Sequence, residues 1–235
     1  MIKDLQVTLY DIFGFLIPGT VFLAAVGLLF GAVYLPQSQA PLVTLDAAGW
    51  VVLVLVAYLA GHMAQSLGNL LEKLYKATET VVLEGQGPYR LPDVIIVACR
   101  TKVQETLDVA ASGLDPRWLY RVCDDAVIRS GKIGERDVYI YREGFYRGAA
   151  VSFALLTFAV VTLLVRLYLA GQHTILAGWA TEREHLWFLF TLSLGCSYLA
   201  FRRYRRFGMY RVTHAMIGFL TVKDEKKSDS SKKDA

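Results

Sequence analysis

From Asp4 to Glu72 the chain carries no lysine or arginine. A water-exposed helix needs a charged or polar face, so this absence excludes an ordinary soluble surface over that stretch. Charge as a whole is scarce, at 20% of residues against 54% hydrophobic, and a soluble domain carries nearer 25%. The mean hydropathy of +0.39 agrees. Cysteine is scarce too. Cys99, Cys123 and Cys196 form no C-x-x-C pair, which removes a dithiol redox motif and a zinc knuckle and leaves three free thiols as the expectation. G-x-x-x-x-G-K-[ST], H-E-x-x-H and G-x-S-x-G are all missing, and with them the common phosphate, zinc and nucleophile motifs. The reading is therefore non-enzymatic, with no catalytic residue, cofactor or metal site.

What fills the gap is apolar. A membrane-spanning helix needs about 20 mostly apolar residues. Four stretches qualify, at about 12–35, 47–71, 148–170 and 185–201, the last being the shortest and closed by Arg202 and Arg203. Positive charge sits elsewhere. Residues 73–147 hold 12 of the 25 Lys+Arg and residues 202–235 hold 10, whereas the linker 36–46 has none and 171–184 has only Arg183. Cytoplasmic segments near spans are the ones enriched in Lys and Arg. The pattern predicts an all-α membrane protein with four transmembrane helices in two hairpins. Residues 1–72 form the first hairpin, 73–147 a helical cytoplasmic insert, 148–201 the second hairpin, 202–222 a basic helix and 223–235 a charged, disordered tail. Both termini and the insert then lie in the cytoplasm. The first span is read as retained, because its apolar run exceeds the 7–15 residues of a signal-peptide core.

The insert balances 12 Lys+Arg against 11 Asp+Glu, which gives no basic surface for nucleic acid. It reads as three short helices. One starts at Pro92 and carries Ile96, Cys99, Val103 and Leu107 at helical spacing. A second starts at Asp115-Pro116, presents Leu119, Val122 and Val127 and ends at Ser130-Gly131. The third carries Val138, Tyr141 and Phe145 and runs on into the third span. Such a small core leans on the membrane or on a partner chain. Asp124-Asp125 reads as a solvated acidic face. Thr181 to Glu184 fits a capping box before the fourth span. The segment 207–222, with Met209, Val212, Met216 and Phe219 on one face, reads as interfacial or as packed on the insert.

Four groups of residues are candidates for function. Gly27 and Gly31 form a G-x-x-x-G, the spacing that lets two membrane helices approach closely, here for helix packing or oligomerisation. His62, Gln65, Ser66 and Asn69 share one helical face, a polar stripe that is expected to face protein or a pore rather than lipid. Arg202, Arg203, Arg205 and Arg206 form a topology anchor suited to anionic lipid headgroups. Tyr141, Phe145, Tyr146 and Arg147 crowd the start of the third span, where aromatic rings favour the headgroup level, and they are assigned to coupling the insert to the bilayer.

Three further stretches stand out. They are Tyr10-Asp11-Ile12-Phe13-Gly14-Phe15-Leu16-Ile17-Pro18-Gly19, Ala57-Tyr58-Leu59-Ala60-Gly61-His62, and Arg142-Glu143-Gly144-Phe145-Tyr146-Arg147-Gly148. They resemble small bacterial inner-membrane proteins, and the layout is similar to that of multi-pass effectors in anti-phage defence systems. The resemblance implies a cytoplasmic part that receives a signal and spans that disrupt the membrane. The leading expectation is thus an oligomeric, non-enzymatic membrane effector whose partners are the bilayer, further copies of itself, and a cytoplasmic protein or small-molecule signal at residues 73–147. The competing expectations are a small transporter or channel subunit and a membrane scaffold or sensor.

Overall fold

The computed structural model describes residues 2–34, 45–72, 78–85, 88–107, 115–131, 136–170, 175–176, 179–180 and 183–222. Among them the chain is helical: α1 (Ile2–Tyr34), α2 (Ala47–Glu72), α3 (Thr78–Leu83), α4 (Asp93–Leu107), α5 (Pro116–Arg129), α6 (Arg136–Ala170) and α7 (Arg183–Thr221). The one exception is an antiparallel ribbon, β1 (Ile175–Leu176) and β2 (Trp179–Ala180), with Ile175 opposite Ala180 and Leu176 opposite Trp179. The expected capping box at Thr181 and the tail 223–235 lie outside the described residues. Among the described residues, three helices are long and apolar enough to cross a membrane: α1 over Ile12–Phe30, α2 over Ala47–Leu70 and α6 over Arg136–Arg166. The fourth predicted span falls within α7, where His185 and Arg202 close off the apolar stretch early.

The chain divides into two compact units, residues 1–75 with 141–205 and residues 76–140 with 206–235. The first unit holds α1, α2, most of α6 and the first part of α7. Small side chains set its packing. Ala60 and Ala64 of α2 are buried against Phe22 of α1, and Ala25 of α1 meets Leu156, Val160 and Leu163 of α6 and Leu186 of α7. The α6 and α7 segments run in opposite directions. Thr157 Oγ1 lies 3.0 Å from Ser193 Oγ, and Ser197 Oγ donates to the Ala150 carbonyl at 3.0 Å. The outer face of α2 is bare apolar surface: Trp50, Val51, Leu55, Leu59 and Met63 are each about 60% exposed. Soluble proteins rarely leave such a continuous apolar strip uncovered.

The second unit is built around a core of Ile96, Cys99 and Val103 from α4, Leu119, Cys123 and Val127 from α5, and Val212, Ala215, Met216 and Phe219 from α7. Of the two readings of 207–222, interfacial or packed on the insert, the observed packing is the second. The segment continues α7, and its apolar face completes the core of the insert. Three short helices cannot enclose enough apolar area alone; the missing wall comes from the chain's own C-terminal segment. Lys102 fastens that wall, donating from Nζ to the carbonyls of Phe219 (3.1 Å) and Val222 (2.5 Å) at the end of α7, which leaves carbonyls without helical partners. Tyr139 of α6 adds rings against α7, 4.8 Å from His214 and 5.7 Å from Tyr210. Pro116 occupies the first turn of α5, and the helix ends at Gly131, whose φ of 69° suits glycine.

Two buried ion-pair systems hold this unit. Arg136 of α6 grips Asp124 of α5 with both prongs, Nε to Oδ1 at 2.5 Å and Nη2 to Oδ2 at 2.6 Å. Arg211 of α7 donates to Glu79 of α3 at 2.9 Å and to the Tyr120 hydroxyl of α5 at 2.6 Å. Burial pushes the Tyr120 hydroxyl above its ordinary pKa despite the adjacent guanidinium. The acidic pair Asp124-Asp125 is thus split: Asp125 is exposed, but Asp124 is buried and neutralised, because helix geometry turns neighbours about 100° apart.

Cys99 and Cys123 are fully buried. Cys123 donates its thiol proton to Cys99, and this bond together with burial pushes the Cys123 thiol up. Cys99 in turn donates to the Met216 carbonyl at 3.3 Å. The hydrogen bond from Cys123 lowers the Cys99 thiol, so it is burial, which keeps reagents from both sulfurs, that should make the pair inert. Maleimide at neutral pH is expected to label neither in the folded chain and both in denaturant. Rapid labelling of Cys123 without denaturant would contradict this packing.

Candidate functional site at a glycine junction

The three stretches that stand out in the sequence meet in the first unit. Their glycines make the meeting close. A Cβ added at Gly19 of α1 would overlap the Ala57 carbonyl oxygen and come 2.6 Å from the Gly61 nitrogen of α2. A Cβ at Gly61 would overlap the Phe15 carbonyl oxygen and lie 2.6 Å from the carbonyl carbon. These are backbone atoms, so no side-chain rotation makes room. The third stretch joins on the same side. A Cβ at Gly148 of α6 would sit 3.1 Å from Gln65 Cγ and 3.4 Å from Pro18 Cβ, and one at Gly144 would sit 3.3 Å from Gln65 Nε2. Pro18 lies inside α1 and is fully buried. Proline removes one helical hydrogen bond, and tight packing by neighbours is what makes such a break tolerable in a span.

Along α2 the packed face reads Ala57, Ala60, Gly61, Ala64 and Gly68, all buried. The polar stripe lies mostly on the other side. His62, Ser66 and Asn69 are exposed, and only Gln65 turns inward, against Gly144 and Gly148. His62 stacks on Phe15 with ring centroids 3.7 Å apart and meets the edge of Tyr58 at 4.9 Å, so the imidazole seals the outer seam between α1 and α2. Gly27 takes no part in packing within the chain. It is exposed, and a Cβ there would meet nothing within 4 Å. Gly31 lies in α1, but its surroundings fall outside the described residues. The close-packing glycines described in this unit thus include Gly19, Gly61 and Gly68, with Gly144 and Gly148 nearly as tight. The signal for them was present in the sequence as the small-residue spacing of α2 and the Gly144/Gly148 pair of α6.

Phe145 and Tyr146 stand edge to face at 5.0 Å, and Tyr141, Phe145, Tyr146 and Arg147 are all half-buried. Between them Glu143 is buried. Of the arginine cluster, Arg202 and Arg203 are exposed, while Arg206 donates from Nε to the Tyr210 hydroxyl at 2.8 Å. Arg205 is half-buried and shares a cleft with Arg147. Among the described residues, no group of three His, Cys, Asp or Glu converges where a metal could sit. The arrangement is a close three-helix contact: a continuous α1 that contains Pro18, packed against glycines of α2 and α6. The chain matches no protein-family model, no curated protein and no solved structure.

Proposed function

We propose that this chain is a multi-pass protein of a bacterial inner membrane. In this reading it is a non-enzymatic effector that perturbs the bilayer when its cytoplasmic unit is triggered, as in anti-phage defence. The observation that carries the reading is that α6 and α7 each contribute residues to both compact units. A change in how their ends pack in the second unit is passed along an unbroken helical backbone into the first. The residues Tyr141 to Arg147 lie where α6 enters the first unit, as a coupling role requires.

The membrane reading also covers α7. Its first part lies antiparallel to the apolar part of α6, with Leu186 beside Leu163 and Ala200 beside Ala149 and Ala150. A bilayer crossed by α6 therefore encloses this part of α7, which supports a fourth span and two transmembrane hairpins. The Lys and Arg distribution supports cytoplasmic termini and a cytoplasmic second unit. Exposed Ser66 and Asn69 are costly against lipid. A second copy covering that face removes the cost, which supports an oligomer. Induced expression tests the function. Toxicity with loss of membrane potential, abolished by Tyr146→Ala with Arg147→Ala while insertion is retained, is the expected result. Harmless expression with a solute-dependent phenotype would favour a transporter instead. Harmless expression with capture of a soluble partner would favour a scaffold.

A further inference from the structure

We infer that the first unit carries a specific site for an anionic phospholipid between α2, α6 and α7. The site is a cleft of about 310 Å³. At one end stand two guanidinium groups, Arg147 of α6 and Arg205 of α7. Each is held over an aromatic ring, Arg147 5.9 Å from the Tyr204 centroid and Arg205 5.8 Å from that of Phe201. Gly68 of α2 makes the first placement possible, since a Cβ there would lie 2.6 Å from Arg147 Cγ and push the stem away. The rest of the cleft is mostly apolar, with Ser197, whose hydroxyl is spent on the Ala150 carbonyl, Tyr198 and Tyr204 as its polar members. Ala150 and Ala154 of α6 leave a shallow trough faced by Leu194 of α7.

This division of chemistry selects the occupant. Paired arginines recognise a phosphate by charge-assisted, often bidentate hydrogen bonds. Basic pockets between membrane helices on the cytoplasmic side bind anionic headgroups. The apolar trough continues away from the arginines, which fits an acyl chain and wastes its surface on free phosphate. The cleft is far smaller than a whole phospholipid, so it seats the phosphate and the first part of one chain and leaves the remainder in the bilayer. Exposed Arg202 and Arg203 lie outside this cleft, which distinguishes the site from a general basic anchor. The inference rests on the membrane reading above and is independent of the effector activity.

Native mass spectrometry of the detergent-solubilised full chain, titrated with dioleoylphosphatidylglycerol and dioleoylphosphatidylcholine, tests it. The unmodified chain is expected to retain the anionic lipid about 30-fold better, the factor two basic side chains supply near such a headgroup. Arg147→Gln with Arg205→Gln should reduce the preference to less than 3-fold, whereas Arg202→Gln with Arg203→Gln should leave it intact. Arg147→Lys with Arg205→Lys keeps the charge but loses the bidentate, ring-stacked geometry, so its preference should fall between those of the unmodified chain and the glutamine variant, which separates lost charge from lost fold. Ala154→Leu fills the trough without touching charge and should weaken retention of the anionic lipid at least 5-fold. Undiminished preference in the Arg147/Arg205 glutamine variant overturns the proposal. So does full competition by inorganic phosphate at the same concentration, which would mark a phosphate site without an acyl trough. Failure of the membrane reading is seen separately, as release of the chain by alkaline carbonate without detergent.

Discussion

Gly61→Val is expected to separate α1 from α2 and to destabilise the folded chain by about 3 kcal/mol or more, at the upper end of what overpacking costs. The magnitude follows from what the new side chain would strike. At Gly61 the obstacle is the backbone of Phe15, and at Gly19 it is the backbone of Ala57 and Gly61. Helices can yield to a flexible side chain, but relieving a backbone clash requires moving a whole helix. Within a bilayer this matters more, because no hydrophobic force draws helices together and close van der Waals contact supplies much of their association. Gly19→Val should behave similarly. Gly27→Ala provides the control: open space surrounds that position, and alanine favours a helix over glycine by about 1 kcal/mol, so the variant should be neutral or slightly stabilising. Thermal unfolding in detergent, read as loss of the monodisperse species, distinguishes the two. Equal Tm values for Gly61→Val and Gly27→Ala would refute the junction.

Asp124→Ala is the second large effect. It leaves the Arg136 guanidinium, whose side chain is only 15% exposed, without the carboxylate that binds both of its prongs. Leaving a buried charge wholly unmatched costs about 3–5 kcal/mol. Asp137 Oδ1, however, stays 3.2 Å from Arg136 Nη1, so the expected loss is about 2–3 kcal/mol, that of charge-assisted hydrogen bonds. Asp125→Ala, one residue on, should change stability by less than about 0.5 kcal/mol, since that side chain faces water. Replacing both members, Asp124→Leu with Arg136→Met, should recover much of the loss, because an apolar pair of similar volume avoids desolvating any charge. Urea unfolding of the solubilised full chain, followed by Trp118 with the other three tryptophans changed to Phe, reads this unit. A loss at Asp124 no larger than that at Asp125 would show that the pair contributes nothing.

Much of this protein could be read from one dimension. The absence of Lys and Arg from Asp4 to Glu72, the helical spacing of Ile96, Cys99 and Val103, and the Pro116 start are local signals that the three-dimensional packing did not revise. Other features depend on partners far along the chain. Asp124 looked solvated because nothing nearby in sequence pairs with it; Arg136 reaches it across a turn from another helix. Residues 207–222 read as either interfacial or packed on the insert because the wall for their apolar face is not visible in sequence; that wall is α4 and α5. Gly27 and Gly31 were a candidate packing or oligomerisation pair because both lie on one helix; within the chain Gly27 meets open space. The glycines that pack closely are spread over three helices.

The sequence by itself determined that this is a helical chain with segments fit for a bilayer, and where its positive charge lies. Hydropathy and helical periodicity are properties of consecutive residues, so no folding is needed to see them. Only the tertiary structure decided which small residues touch, which charges are buried, and that two arginines on different helices share one cleft. Those outcomes depend on which face of each helix meets which neighbour, and that choice is made by packing over the whole molecule.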